Sequence, residues 1–314
     1  MTVPAAYRPT PSLSVYPNPP AGGLMAILKA YFDDSKDDCV LTIAGYMSTH
    51  ESWAQFDHAW CSLLERFQVP YLHMKEFWDR DGIYKHIKDD PKEEIAFFSA
   101  IVDVIDKHLR FCPLTIVMLN DLKKFNKTSR QKLSAAALAV YGCLMKLQTQ
   151  FRGQPVEMVF DKFERADSLV ALGKHYAESD VEYPINKRLV LSTRIENDES
   201  AKTILPLQAA DFIAWEMRKY CNDPSPWISG IRYEDIPTGA AQRNFFEWHT
   251  KFIEDEGRAP RTRKTFEALR KCRAPPDGFL FNYAALEYLQ SCHPYGWRLT
   301  EKRRLALFSE DQGA

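Results

Sequence analysis

The stretch LKAYFDDSKDDCVLTIAGYM, Leu28 to Met47, holds two strand-length apolar runs separated by an acidic turn. Leu28, Ala30 and Phe32 alternate with Lys29 and Tyr31, and the run stops at Asp33-Asp34-Ser35. A second apolar run follows from Val40 to Tyr46. Two such runs joined by a polar turn predict a hairpin, with strands over residues 27–32 and 39–46. The first strand ends on two adjacent carboxylates, Asp33 and Asp34, and two more follow at Asp37 and Asp38.

After the hairpin the pattern changes to alternating helix and strand. In STHESWAQFDHAWCSLLERF, Ser48 and Glu51 have capping-box spacing, and Trp53, Phe56, Trp60, Leu63, Leu64 and Phe67 recur at helical intervals. VPYLHMKEFWD is a short extended piece leading to a turn. PKEEIAFFSAIVDVIDKHL opens on Pro91 and two glutamates, a good helix start. RFCPLTIVML, PVEMVFDKF and NKRLVLSTRI read as three further strands. The helices SRQKLSAAALAVYGCLMKLQTQF, ADSLVALGKHYAES and ILPLQAADFIAWEMRKYC separate and follow them. A hairpin plus one strand, then alternation, predicts an α/β chain with a mixed five-stranded sheet flanked by helices.

Residues 1–24 are rich in proline and broken in pattern, so a disordered lead-in is expected rather than a signal peptide. The folded domain is expected over 25–221. Past Asp223-Pro-Ser-Pro the texture weakens, and 222–314 is expected to be a helical extension. That extension holds GRAPRTRKTFEALRKCRAPP, with seven basic residues against Glu267. It is either a track for a phosphate backbone or a solvated face.

With 314 residues, 45% of them hydrophobic, the chain can bury a sizeable core. A net charge of -1 makes no demand for nucleic acid or membrane by itself. No apolar run approaches the roughly 20 residues that span a bilayer. Seven cysteines occur and none sits in a CxxC pair, which argues against a disulfide framework and against a zinc cluster. A reducing cytoplasm fits best. No P-loop, GxGxxG, GxSxG or HExxH pattern is present.

The chemistry therefore rests on carboxylates. Asp33 ends strand one, Asp161 ends strand four, and Asp211 lies in an apolar helix where Gln208, three residues earlier, shares its face. If strands one and four are parallel neighbours, Asp33 and Asp161 reach the same rim. Acids crowded together raise each other's pKa, and a hard divalent cation reverses that cost. Two such ions about 4 Å apart clamp the attacking and leaving oxygens of a phosphoryl displacement. Taken alone, each acid has a plain reading: an aspartate at a strand end is commonly a turn residue. His73 is either a proton relay or a structural histidine, Glu76 either a further ligand or a solvated helix-start acid. Lys36 and Lys202 are either phosphate contacts or polar loop residues.

YFDDSK, the glycine-containing second strand, YLHMKEF, VFDKFE and LPLQAADFIAWEM together resemble the DUF3800 family, over about residues 26 to 221. That family's first motif is Asp-Glu-Ser-Gly after an aromatic-rich strand, and its last is a Leu-Gln-x-Ala-Asp helix. The resemblance implies an RNase H-like fold and a metal-dependent nuclease. By position it makes Asp33, Asp161 and Asp211 the ligands of Mg2+ or Mn2+, with Asp34, His73 and Glu76 behind them in the catalytic set. Asp34 stands where the family has glutamate, and Lys36 where it has glycine. The implied partner is a nucleic acid, RNA or DNA, cut at its phosphodiester bonds. The alternative is a non-catalytic nucleic-acid-binding or protein-interaction module on a degenerate form of the same fold.

Overall fold

The computed structural model describes residues 28–79, 82–129, 133–151, 156–161, 193–195, 200–222, 265, 268–269, 271–283 and 285–287. The expected lead-in, the helix predicted over ADSLVALGKHYAES and most of the basic run lie outside them.

Strands β1 (Leu28–Lys36) and β2 (Val40–Thr49) form the hairpin, in antiparallel register from Leu28↔Thr49 to Lys36↔Leu41. Asp37 builds the turn: its Oδ1 accepts from the backbone N–H of Cys39 and of Val40, each at 2.9 Å. Helix α1 (His50–Arg66) follows without a linker. Its N-cap is Thr49, whose Oγ1 accepts from Ser52 N at 3.2 Å, one residue later than the expected Ser48 cap. The reason is that β2 runs on and carries Ser48 into the ladder opposite Lys29.

Two short helices come next, α2 (Met74–Trp78) and α3 (Lys85–Lys88), then α4 (Pro91–His108), capped by Asp90. Strand β3 (Cys112–Met118) leads directly into α5 (Leu119–Thr128), which the sequence reading missed because LNDLKKFNKT carries only a thin apolar stripe. Helix α6 (Ala135–Gln150) precedes β4 (Val156–Phe160). Then come β5 (Thr193–Ile195), α7 (Ser200–Thr203) and α8 (Leu205–Asn222). A sixth strand, β6 (Pro276–Phe281), arises within the segment read as a helical extension. PDGFLF is too short for periodicity to decide its type; pairing with β3 decides it.

The expected mixed sheet is present, one strand wider than predicted, in the order β5-β4-β1-β2-β3-β6. β2 is antiparallel to β1 and β3, while β1–β4, β4–β5 and β3–β6 are parallel. One face carries Tyr31, Ala44 and Tyr46 against Trp53, Phe56 and Trp60 of α1, Phe97 and Ile101 of α4, and Phe212 and Met217 of α8. The other carries Ala30, Phe32, Ile43 and Phe160 against Leu122 and Phe125 of α5 and Leu138 and Leu147 of α6. Helices thus cover both faces, and the sheet is buried between them. Among the described residues, no helix is long and apolar enough to cross a membrane.

Candidate carboxylate site

The parallel pairing of β1 with β4 runs from Leu28↔Val156 to Phe32↔Phe160. At its last step the Phe32 and Phe160 rings stack at 4.9 Å on the α5–α6 face. Side chains alternate along a strand, so the next residues, Asp33 and Asp161, turn to the face covered by α8. The ladder carries them level, since Asp161 N donates to Phe32 O at 3.0 Å. Helix α8 crosses that face and contributes Asp211. All three acids are buried, at 8%, 8% and 6% exposure.

Their charges act on one another. Burial pushes the Asp33 carboxyl well above its ordinary value, and the Asp211, Asp161 and Asp34 charges push it further. A hydrogen bond at 2.7 Å from Asp34 N to Asp33 Oδ1 only partly offsets this. Burial likewise raises Asp211, to about 6, with Asp161 and Asp34 adding to the rise. The Met74 N–H, donating to Asp211 Oδ2 at 2.6 Å, and the nearby His73 hold that rise back. The three elements therefore bring Asp33, Asp161 and Asp211 into one buried field, with Asp34 beside it.

Two side chains one turn apart on α8 grip the segment that delivers His73. Gln208 Oε1 accepts from Leu72 N at 2.9 Å and from Trp60 Nε1 at 2.9 Å, while its Nε2 donates to Lys202 O at 3.2 Å. Asp211 then takes Met74 N, the next N–H but one. Tyr84 completes the strap: its hydroxyl accepts from His73 N at 2.9 Å and donates to Tyr71 O at 2.7 Å. Sequence reading placed Gln208 on the Asp211 face but missed its contacts. It missed Tyr84 altogether, since nothing in DGIYKHI marks a buried hydroxyl.

Glu76 stands one step away from the acids. Its Oε2 accepts from the Tyr71 hydroxyl at 2.7 Å, its Oε1 pairs with Lys202 Nζ at 2.8 Å, and His73 Nδ1 lies 3.3 Å from Oε1. Desolvation works to raise this carboxyl, but the hydrogen bonds from Lys202, Tyr71 and His73 win and lower it to about 2. Lys202, a candidate phosphate contact from sequence, is thus Glu76's partner. Beyond the acids on α8, Arg218 donates from Nε to Ser35 Oγ at 2.8 Å and from a terminal nitrogen to Asp37 Oδ2 at 2.7 Å. This clamps α8 to the end of β1 and to the hairpin turn.

The donor set is all oxygen, with one imidazole nearby, which suits a hard divalent cation. Among the described residues, however, no group of three or more His, Cys, Asp or Glu side chains is arranged to hold a metal ion. Asp33 and Asp211 each also accept a backbone N–H. Among the described residues the acids share a field without forming a finished ligand cage. Compared with family models and with curated proteins, the chain matches no family model and no curated protein.

Proposed function

We propose that this chain is a metal-dependent phosphodiesterase of RNase H-like fold, related to the DUF3800 family and acting on nucleic acid in a reducing cytoplasm. The observation that carries the reading is the single buried field shared by Asp33, Asp161 and Asp211, drawn from β1, β4 and α8. Crowding acids out of water is costly, and a divalent cation is the partner that relieves it. The mixed sheet with β2 alone reversed, covered by helices on both faces, supports the reading.

Asp33, Asp161 and Asp211 would hold Mg2+ or Mn2+, and an ion bound there would supply Lewis acidity to the phosphate and ease loss of a proton from the attacking water. The Gln208–Tyr84 strap sets where His73 stands, with its Nδ1 3.3 Å from the Glu76 carboxylate. Asp34 adds negative charge from the adjoining residue of β1.

The test is a thermal melt with and without Mn2+, alongside cleavage of labelled RNA and DNA. At metal a hundredfold above its Kd, the wild type should gain about 2.7 kcal/mol. Asp211→Asn should lose that gain and the cleavage together, yet melt no lower than wild type without metal, because one buried like charge is gone. Full cleavage by Asp211→Asn removes the site assignment. A second reading, a non-catalytic nucleic-acid-binding or protein-interaction module, is favoured by Asp34 in place of glutamate and Lys36 in place of glycine. A melt indifferent to both Mg2+ and Mn2+ selects it.

A further inference from the structure

Arg218 is a buried cation, 6% exposed, in the second half of α8. It stands seven residues past Asp211, two turns along the same helix face, a rise of ~10 Å. On β1, Ser35 stands two residues past Asp33 and so on the same side of the sheet. Helix and strand therefore meet twice. At the first meeting Asp33 and Asp211 share one field, and at the second Arg218 Nε donates to Ser35 Oγ at 2.8 Å. Nη1 of the same guanidinium donates at 2.7 Å to Oδ2 of Asp37, the residue that builds the hairpin turn. The Trp215 ring, one turn back on α8, backs the guanidinium carbon, with its centroid 4.3 Å away.

We infer that Arg218 is a positioning residue for the carboxylate site: its clasp on Ser35 and Asp37 holds α8 at the spacing from β1 that lets Asp33 and Asp211 share one small cation. The inference deepens the phosphodiesterase reading and rests on it for the cation. Asp33 and Asp211 carry like charges, and their repulsion works to part strand from helix where the acids stand. Apolar packing of α8 on the sheet opposes that, but it is non-directional and tolerates sliding. Mg2+ does not tolerate it, needing near-ideal octahedral oxygens at roughly 2.0–2.1 Å. A displacement of about 0.5 Å is enough to loosen a site of that kind. Gln208 and Asp211 tie α8 to the segment from Leu72 to Met74, whereas Arg218 ties it to the strand that carries Asp33. Two nitrogens of one rigid planar group reach two acceptors, so the clasp fixes the angle of the helix as well as its distance. A lysine offers one nitrogen on a flexible stem and fixes neither. Arg218 acts through the two acids it holds in place.

The experiment is isothermal titration calorimetry of the full chain with MgCl2, MnCl2 and CaCl2, on wild type, Arg218→Lys and Ser35→Ala. Arg218→Lys should weaken Mg2+ binding about tenfold, the loss typical of a residue that orients metal ligands. Ca2+ takes about six to eight oxygens in flexible geometry, so its affinity should fall only about twofold. Ser35→Ala removes one of the two bonds and should act in the same sense to a smaller degree. Its effect should shrink in the Arg218→Lys background, because both variants break the same clasp. A merely structural role predicts a lower melting temperature with the ratio of Mg2+ to Ca2+ affinity unmoved. Leu138→Ala, a cavity in α6 on the other face of the sheet, supplies that control. An unchanged Mg2+ Kd in folded Arg218→Lys, or equal losses for Mg2+ and Ca2+, overturns the inference. If circular dichroism finds Arg218→Lys unfolded, Ser35→Ala decides on the same two criteria. A wild-type chain that binds none of the three ions sinks the phosphodiesterase reading and the inference together. Wild-type binding with an unmoved ratio in both variants sinks the inference alone.

Discussion

Asp57 lies on the sheet-facing side of α1 at 4% exposure, and its Oδ1 has no hydrogen-bond partner among the described residues. Burial pushes its carboxyl up to about 7, against a smaller opposing pull from Lys29. The unfolded chain releases that proton near pH 4, whereas the folded chain holds it to about pH 7. Between those values the native state binds more protons, so stability falls as pH rises and levels off above 7. Asp57→Asn should make the fall in stability with pH shallower, leaving the part due to Asp33 and Asp211, and leave the protein on the order of 2 kcal/mol more stable than wild type at pH 8. Urea unfolding across pH 4 to 8 measures both. Gln208 poses the opposite case, a buried polar group with its hydrogen bonds made. Gln208→Leu strands Trp60 Nε1 and Leu72 N, and should cost about 3 kcal/mol in urea unfolding. Neither outcome was legible in the sequence. Asp57 reads there as one more polar residue in a helix, and Gln208 as the neighbour of an acid. Burial and partners reached across 148 residues turn one into a liability and the other into a clasp.

At the scale of elements, the hairpin was legible because its alternation and its acidic turn act over a few residues. Asp37, read as a turn residue, is one, held by Cys39 and Val40 and fixed from outside by Arg218. The hairpin also depends on Gly45, paired opposite Phe32. A Cβ there would collide with the Tyr31 carbonyl and lie 2.9 Å from Phe32 Cδ1. The obstacle is backbone, so it cannot swing aside. Gly45→Ala should push β1 and β2 apart just where β1 presents Asp33, at a cost of about 3 kcal/mol. Denaturant unfolding gives the cost, and loss of the Mn2+-induced melt shift gives the effect on the acids. Helix α5, with its thin apolar stripe, and the short strand β6 both escaped the sequence reading because the type of each is set by the surface it lies on. Phe125 of α5 is buried against the sheet, and β6 borrows the edge of β3.

For the whole molecule, β6 means that the sheet is not complete at the end of α8. It pairs with β3 from Cys112↔Pro276 to Val117↔Phe281, and Asp277 meets the buried Lys146 of α6 at 2.6 Å. A chain ending at Asn222 should expose the β3 edge and leave Lys146 without that carboxylate. Open apolar edges pair with other chains. Light scattering should find aggregates or higher oligomers of the shortened chain under conditions where the full chain is dispersed; a dispersed, folded short chain would show β6 to be dispensable.

By itself the sequence determined what local patterns can carry: the hairpin, the striped helices, the mixed α/β order, and the acids at strand ends and in an apolar helix. Periodicity, caps and turn chemistry act over a few residues, and those can be read without coordinates. Tertiary structure alone decided the convergence. Asp211 meets the backbone of Met74 from 137 residues away, and Asp33 and Asp161 come level because a parallel ladder ends where it does. Such contacts follow from how α8 lies across β1 and β2, and that placement is set by the whole apolar interior rather than by any short run of residues.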